Sequence, residues 1–413
     1  MKLLNPHAEN DMGNARGPNV KRFNWLNKTV VAIAFASLFS DWSHEIATTL
    51  LPAFLATMGA SAGWLGLIEG VSDGVSSFTK MISGYYTDRL PRRKPIAVAG
   101  YLITAVATAS IGLATHAWHV MIARASAWLG RGIRTPVRKA LLAGAVDKSS
   151  YGKAFGFERM MDTLGAVVGP ATAFVLLSIF HNNYSSLFLC TLVPGLIAAL
   201  LIGALVNEKD RIRVQYVSFS GSLRSLPTDF QKFLLAVGIF GVGDFAHTML
   251  ILFAVQKLTP IYGIQTASGI AVGLYMAHNV FYAGFSMIAG FLADRFRKNV
   301  VLAAGYFTGA LTLLLAVLLP ASVAAMALVF IAGGIYVAIE ETLEDSFCAE
   351  LVDEQSHGMA FGLLATVNGV GDCLSSIIVG WLWTVIGVKQ SFIYSIVLFI
   401  IGAVMVLRIK KNS

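Results

Sequence analysis

The chain has 413 residues, of which 56% are hydrophobic and only 13% are charged. Soluble globular proteins carry about 25% charged residues, so this composition excludes a set of soluble domains, which could not cover so much apolar surface. The net charge is +8, but the basic residues lie in short clusters between apolar runs, which does not fit a nucleic-acid-binding domain. The three cysteines show no metal or redox spacing. We therefore expect an integral membrane protein without metal, cofactor or nucleic-acid partner.

Twelve apolar segments of helix length follow a polar N-terminal region that lacks the pattern of a signal peptide. A helix needs about 20 mostly apolar residues to cross ~30 Å of hydrocarbon, whereas barrel strands would show runs of about ten alternating residues. The sequence therefore predicts an all-α membrane protein with twelve transmembrane helices, numbered here helix 1 to helix 12. They are predicted at 29–56, 63–86, 96–115, 119–145, 154–180, 186–206, 233–257, 266–293, 300–319, 322–349, 359–384 and 391–407.

The longest polar stretch between these segments, 207–232, divides the chain into two halves of six helices, 28–206 and 233–407, with tails at 1–27 and 408–413. Lysine and arginine concentrate in both tails, in the central stretch and in the loops after helices 2 and 8. Cytoplasmic loops carry such an excess. We therefore expect a monomeric protein of the bacterial inner (plasma) membrane, with both termini and the linker in the cytoplasm.

The two halves repeat each other at a shift near 206 residues. Three segments of the first half align, in chain order, with three of the second: Gly84-Tyr-Tyr-Thr-Asp88-Arg89 with Gly290-Phe-Leu-Ala-Asp294-Arg295, Gly152-Lys-Ala-Phe-Gly156 with Gly358-Met-Ala-Phe-Gly362, and Asp41-Trp-Ser-His44 with Asp244-Phe-Ala-His247. Each half begins on the same side and crosses six times. The halves are therefore predicted to be parallel repeats, related by a pseudo-twofold axis along the membrane normal.

On these segments the chain resembles the major facilitator superfamily, from about Asn24 to the C-terminus. The segment that follows helix 2 resembles the family's loop motif between helices 2 and 3, with Pro91 in place of the usual second glycine, and the copy after helix 8 is shorter. In such a motif the glycine lets two helices approach closely, and the aspartate can cap the positive end of a neighbouring helix. The motif residues are Gly84, Asp88, Arg89, Arg92, Arg93, Gly290, Asp294 and Arg295.

A second resemblance concerns the direction of transport. Gly165, Gly169 and Pro170 in helix 5 resemble the glycine–proline motif of the antiporter branch of that superfamily. Glycines four residues apart allow close helix contact, and the proline kinks or stiffens the helix. The resemblance implies efflux by antiport rather than uptake.

Ionisable residues inside the predicted helices are the candidates for proton coupling. A charge at the bilayer centre costs ~2.5–3.5 kcal/mol, so such residues usually face a cavity. Helix 1 carries Asp41, His44 and Glu45 on one face, and helix 2 carries Glu69 and Asp73 one turn apart. The helix 1 acids have no adjacent fixed cation in the sequence. We therefore predict that these five residues carry the coupling protons.

Further polar residues inside the helices are expected to line a substrate cavity between the halves. They are Arg124, Glu158, Asp162, Asp244, His247, His278, Asn279, Asn368 and Asp372. The alternative is that some of these acids pair with buried Arg159 or Lys80 and lock the bundle.

Helices 4 and 10 carry opposite charges at equivalent positions of the repeat. At the shift of 206 residues, Arg134, Arg138 and Lys139 align with Glu340, Glu344 and Asp345. Equivalent positions near a pseudo-twofold axis can approach each other, so we predict a cytoplasmic gate of three ion pairs that break when the mouth opens. The alternative is that the basic residues only mark a cytoplasmic loop.

No Gly-rich phosphate loop ending in Gly-Lys-Ser/Thr is present, and no nucleophile–base pair or metal triad stands out. We therefore predict no catalytic residues and no enzyme. The prediction is a secondary active transporter that moves a small organic solute by alternating access, with proton-coupled export favoured. The first alternative is a facilitative or proton-symport uptake carrier for an organic anion, with Arg124 and the helix 4 cations as ligands. A membrane-embedded receptor or enzyme is a weaker alternative. The substrate stays open among drugs, metabolites, chelators and organic anions.

Overall fold

A computed structural model describes residues 25–60, 62–181, 183–208, 226–245 and 247–409. Within these ranges the regular secondary structure is entirely helical. The predicted N-terminal tail up to residue 24, most of the predicted linker (209–225) and the last four residues lie outside the described residues.

The helices follow one another as twelve elements of membrane-spanning length, and the sixth and seventh are each broken into two pieces. The elements are α1 (Lys28–Thr57), α2 (Ala62–Thr87), α3 (Lys94–Ser110), α4 (Ala117–Gly144), α5 (Tyr151–Ile179), α6a (Tyr184–Cys190), α6b (Leu192–Leu205), α7a (Thr228–Gly241), α7b (His247–Tyr262), α8 (Ile264–Arg295), α9 (Lys298–Leu318), α10 (Val323–Leu351), α11 (His357–Val385) and α12 (Val388–Leu407). The predicted fold class, an all-α membrane protein of twelve helices, is confirmed.

Eight of these elements are long and apolar enough to cross a membrane by length and composition alone. The other four are α1, α2, α4 and α7. The first three carry Asp41, Glu45, Glu69, Asp73 and Arg124 within their apolar segments, and α7 is broken. An apolar outer surface with charged residues inside the helices is what we expect of a membrane bundle that encloses a polar interior.

The break in α6 has a local cause, and the break in α7 is compensated by hydrogen bonds from neighbouring helices. Pro194 has no N–H to donate to the carbonyl of Cys190, so α6 is interrupted at Thr191. In α7 the break frees two backbone carbonyls, and neighbouring helices supply donors: the Ser375 hydroxyl donates to the carbonyl of Asp244 (2.6 Å), and the Tyr394 hydroxyl donates to that of Val242 (3.2 Å). Irregular backbone at membrane depth is tolerated where other groups satisfy it in this way.

The two halves meet at the end of the bundle where the described chain begins and ends. There α2 packs on α11 and α5 packs on α8. A Cβ atom added to Gly84 would overlap the backbone of Gly358, and one added to Gly152 would overlap that of Gly290. Only glycine permits backbones to come so close.

The halves separate toward the opposite end. Ser77 of α2 still touches Gly369 of α11, since a Cβ on that glycine would lie 2.9 Å from the serine hydroxyl. Two turns further along the same face, Gly70 has no atom within 4 Å of a Cβ position, and the same holds for Gly269 of α8. The bundle is thus closed at the end where the described chain begins and ends, and open at the other.

Candidate functional site

A cavity of about 540 Å³ lies between the halves, next to their contact. Its charged lining is sorted by half. The side chains from the first half are mainly basic: Lys80, Arg131, Arg134, Arg138, Lys139 and Arg159, with the single acid Asp162. The side chains from the second half are acidic: Asp244, Glu340, Glu341, Glu344, Asp345 and Asp372. The cavity therefore has one basic and one acidic wall.

Helical periodicity produces much of this sorting. In α4, Arg131, Arg134 and Arg138 stand at i, i+3 and i+7, which is one face of a helix. In α10, Glu340 and Glu344 are one turn apart, and Glu341 and Asp345 follow each by one residue. Two facing stripes of opposite charge result, one from each half.

Asp41 of α1 has a fixed cation as its neighbour, which corrects the expectation drawn from the sequence. Arg131 of α4 places its Nη2 atom 3.2 Å from the Asp41 carboxylate, which is 6% exposed. The two residues are 90 positions apart, so their proximity depends on helix packing and leaves no local pattern. Glu45 agrees better with the expectation that no fixed cation lies beside the helix 1 acids. Among the described residues, the basic group within 4 Å of its carboxylate is the His44 imidazole, at 3.7 Å, which is charged only when it is protonated.

Arg124 joins three helices of the first half. Its Nη2 atom lies 3.2 Å from Glu69 and donates to the Thr48 hydroxyl at 3.1 Å, and its guanidinium stands 4.0 Å above the Trp128 ring. The Trp128 indole donates to Asp73 at 2.8 Å. The predicted coupling residues Glu69 and Asp73 therefore both contact α4.

Only some of the predicted cavity residues line the cavity. Asp162, Asp244, His247, Asn368 and Asp372 do so, whereas Arg124, Glu158, His278 and Asn279 are not among its lining residues. Three of the latter are almost fully buried, with exposures of 1% for Arg124, 1% for Glu158 and 2% for His278. Arg124, Glu158 and His278 are instead bonded to neighbouring helices within their own halves.

Glu158 and Arg138 form a buried pair within the first half. The Arg138 guanidinium lies 3.0 Å from Glu158 and 3.5 Å from Asp162, and it donates to the Ser37 hydroxyl at 2.6 Å. Its predicted partner across the cavity, Glu344, instead accepts hydrogen bonds from Tyr306 (2.5 Å) and Asn368 (2.7 Å). The predicted contact between Arg138 and Glu344 is therefore absent from this structure.

One of the three predicted gate pairs forms, and a different pair stands beside it. Lys139 Nζ lies 2.5 Å from Asp345. Arg159 of α5 lies 2.6 Å from Glu341 and 3.6 Å from Asp345. The pair of Arg159 with Glu341 could not be predicted from the repeat, because the repeat aligns residue 159 with Ala365. An ion pair that does not obey the pseudo-symmetry leaves no signal in the self-alignment.

The third predicted gate pair is also absent. The guanidinium of Arg134 lies 4.2 Å above the Tyr101 ring. Glu340 forms no ion pair with any described residue, although both side chains line the cavity. Neither side chain therefore has an oppositely charged partner within 4 Å among the described residues.

The aspartates of the two loop motifs each bind the start of a helix in the other half. Asp88 accepts backbone N–H groups of Gly358 (2.8 Å) and Met359 (2.7 Å) at the start of α11, and Arg93 lies 2.9 Å from it. Asp294 accepts those of Gly152 (2.8 Å) and Lys153 (3.1 Å) at the start of α5. A carboxylate is stabilising at a helix N-terminus. The remaining motif arginines lie at the same end: Arg89 stands 3.3 Å over the Tyr85 ring, and Arg92 and Arg295 are exposed.

The glycine–proline segment of α5 packs directly on the acidic turn of α1. A Cβ on Gly165 would lie 2.5 Å from the carbonyl oxygen of Leu38 and 2.9 Å from the amide nitrogen of Trp42. A Cβ on Gly169 would overlap the Cβ of Glu45. These glycines therefore set the distance between α5 and the residues Asp41 to Glu45.

Among the described residues no group of three or more histidine, cysteine, aspartate or glutamate side chains is arranged to hold a metal ion. The site consists of protein charges, tyrosine hydroxyls and the cavity between them.

Comparisons with known proteins agree with this architecture. The model of the Major Facilitator Superfamily matches residues 33–277 and 233–413. An uncharacterised MFS-type transporter of Methanocaldococcus jannaschii is 29% identical over 383 residues, which are 92% of this chain and 95% of that protein. Multidrug resistance protein MdtH of Photorhabdus laumondii is 24% identical over 329 residues, 78% of this chain and 79% of that protein.

Two solved structures share the fold at low sequence identity. The human organic anion transporter MFSD10 aligns with a TM-score of 0.73 and 13% identity, covering 92% of this chain and 99% of the other. The Escherichia coli transporter FucP, described in the outward conformation, aligns with a TM-score of 0.73 and 14% identity, covering 93% of this chain and 100% of the other.

Proposed function

Since the chain belongs to the major facilitator superfamily, we propose that this transporter exports a small solute from the cytoplasm in exchange for protons. The observation that carries the proposal is the charged cavity between two repeated halves, closed at one end only. The glycine–proline segment on α1 and the relatives named multidrug resistance proteins favour export.

The proposed orientation follows from the distribution of lysine and arginine. The end that carries the described chain termini also carries the basic loops, and such loops face the cytoplasm. In a bacterial inner membrane the closed end would then face the cytoplasm and the open end the outside. The structure would represent an outward-facing state, from which an exporter has released its solute.

Alternating access requires the closed end to open. The contacts that would break are the two aspartate caps on α5 and α11 and the ion pairs of Lys139 and Arg159 with α10. Each of these groups regains water when the mouth opens, so loss of the contact and gain of hydration nearly cancel. Such a balance suits a two-state element whose populations a ligand can shift.

Asp41 and Glu45 are the proposed proton carriers. A proton on Asp41 would remove its charge and release Arg131, which lines the cavity and is 3.2 Å away. Glu45 lies one turn further along α1, in contact with Gly169 of α5. Protonation in this turn would therefore change both the charge of the basic wall and the packing of α1 against α5.

A second candidate is uptake of an organic anion, and the basic wall of the cavity favours it. Six basic side chains of the first half line the cavity, and the structurally similar human protein is described as an organic anion transporter. In this alternative the basic side chains bind the solute. The solute then enters either without proton movement or together with protons.

The direction of proton movement separates the candidates. Proteoliposomes with a pH-sensitive dye in the lumen, acidic inside, receive candidate solutes outside. Antiport predicts that an accepted solute makes the lumen more alkaline, because protons leave as the solute enters. Proton symport predicts acidification in liposomes without a gradient, and facilitated uptake predicts no pH change. Acidification, or solute entry without a pH change, would reject the proposed exchange.

A further inference from the structure

We propose that the cavity binds a small zwitterion, with its anionic group at Arg134 and Lys80 of the first half and its cationic group at Glu340 and Asp372 of the second. This inference rests on the proposed transport function and adds the chemical class of the solute. It follows from which charges on the two walls have partners and which do not.

On the basic wall, four side chains already have partners. Arg131, Arg138, Lys139 and Arg159 form ion pairs with Asp41, Glu158, Asp345 and Glu341 respectively. Their charges are therefore committed within the protein and are poor anchors for a solute in this state.

Arg134 and Lys80 are different. Arg134 is 3% exposed and lines the cavity, yet no carboxylate among the described residues lies within 4 Å of its guanidinium, and its buried Nε and Nη1 atoms have no hydrogen-bond partner there. The Tyr101 ring covers one guanidinium face at 4.2 Å. Lys80 also lines the cavity, and no carboxylate of a described residue lies within 4 Å of its ammonium, although Asp372 of the second half is near enough to act on its charge. A carboxylate or phosphate is the kind of group that such cations bind.

On the acidic wall the pattern is reversed. Asp244 and Glu344 accept hydrogen bonds from the hydroxyls of Tyr336 (2.6 Å) and Tyr306 (2.5 Å). These bonds orient the carboxylates but supply no positive charge. Glu340 and Asp372 line the cavity with no ion pair to any described residue. Glu340 is 7% exposed, so a negative charge on it needs a cation close by. An ammonium or similar cation is the group that this wall can bind.

A zwitterion satisfies both walls at once, which a singly charged solute cannot do. A cation at Glu340 leaves Arg134 buried and unpaired, and an anion at Arg134 leaves the carboxylates unpaired. Leaving one member of a buried charge pair without its partner is strongly unfavourable. Because the walls belong to different halves, a bridging zwitterion would also hold the halves together around itself. The cavity volume of about 540 Å³ lies within the range of small-molecule sites.

Straight-chain ω-amino acids provide a test, because their length measures the distance between the walls. Glycine to 8-aminooctanoate are added to the purified protein, each beside its methyl ester (a cation only) and its N-acetyl derivative (an anion only). Thermal unfolding and titration calorimetry report binding. We expect saturable binding over a limited range of chain lengths, with the two singly charged derivatives bound at least tenfold more weakly.

Three variants locate the site. Arg134→Gln and Glu340→Gln should each weaken binding roughly 30-fold or more, as loss of one partner of a desolvated charge pair does. Asp372→Asn changes an exposed carboxylate of the cavity and guards against misfolding of the more buried variants. Lys232→Gln, on the surface of α7a, is the matched control and should bind like wild type.

Several outcomes would overturn the inference. Equal binding of the methyl esters would assign a cation site, and equal binding of the N-acetyl derivatives an anion site. Binding by no member of the series would exclude linear zwitterions, and binding unchanged in all three cavity variants would place the ligand elsewhere. Zwitterion binding and proton movement are measured separately, and binding does not require proton coupling. A Glu45→Gln variant that still binds the zwitterion but moves no protons would therefore support the binding site independently of the proposed exchange.

Discussion

The carboxylate of Asp88 accepts the backbone N–H of Gly358 at 2.8 Å, across 270 residues of chain and between the two halves of the bundle. The repeat makes the same contact a second time, from Asp294 to Gly152 at 2.8 Å. Each aspartate stands four residues after a glycine, Gly84 or Gly290, that touches the second residue of the partner helix, Gly358 or Gly152. The closed end is therefore held by two equivalent latches, each made of a close backbone contact and a helix cap.

We expect Asp88→Ala to open this end of the bundle. Loss of an N-cap costs about 0.5–2 kcal/mol, and a difference of 1.4 kcal/mol is a tenfold change in population. Spin labels at Lys148 and Arg297, both exposed and one in each half, should show a larger share of long distances. The three native cysteines are first replaced by serine.

Asp229→Ala serves as the control for this latch. Asp229 is also an aspartate in the first turn of a helix, but its ion pair is with Lys232 of the same helix. The distance distribution should stay that of wild type. An unchanged distribution in Asp88→Ala as well would show that the cap does not hold the mouth closed.

The ion pair of Lys139 with Asp345 should behave as a gate contact. Lys139→Asp should impair transport, since two acids would then face each other, and adding Asp345→Lys should restore part of it. Each partly buried pair is expected to contribute on the order of 1 kcal/mol. The corresponding exchange between Arg138 and Glu344 should not rescue, because Arg138 is bonded to Glu158 in its own half. Rescue of the second exchange and not the first would favour the symmetric gate predicted from the sequence.

Gly169 should be intolerant of any side chain. Its Cβ position overlaps Glu45, and overpacking typically costs about 1–3 kcal/mol, so Gly169→Ala should lower the unfolding temperature and loosen proton coupling. Gly74 of α2 has no atom within 4 Å of its Cβ position, so Gly74→Ala is the matched control and should be neutral or slightly stabilising. Equal unfolding temperatures and equal proton leak in the two variants would remove the special role given to Gly169.

The sequence predicted the number of helices, their approximate ends and the repeat, because hydrophobic length and the spacing of Gly84 and Asp88 are local properties. It also placed the charges at membrane depth. It could not predict which charges meet. Arg131 reaches Asp41 and Arg159 reaches Glu341 through helix packing, and neither pair obeys the pseudo-symmetry. Local sequence pattern and repeat symmetry therefore predict which helices carry the charges of the cavity walls. Which of these charges form pairs depends on how the helices pack.

Glu45→Gln should separate proton movement from solute movement. The substitution keeps the shape of the side chain against Gly169 but removes the group that can exchange a proton. Counterflow of solute between equal concentrations should continue, and accumulation driven by a pH gradient should stop. Asp147→Asn, an exposed acid in the loop before α5, should retain both activities. Normal accumulation in Glu45→Gln would assign the proton to Asp41 or to another acid.

Everted membrane vesicles test proton-coupled export most directly. In these vesicles the cytoplasmic face is outside, so an exporter moves its solute into the lumen. The solute used is the one that changes the luminal pH in the proteoliposome experiment. The account predicts that an imposed gradient, acidic inside, drives accumulation of that solute above its external concentration. Collapse of the gradient, or Glu45→Gln, should reduce accumulation to equilibrium while counterflow continues. Accumulation that is unaffected by collapse of the proton gradient, or that occurs only in right-side-out vesicles, would contradict it.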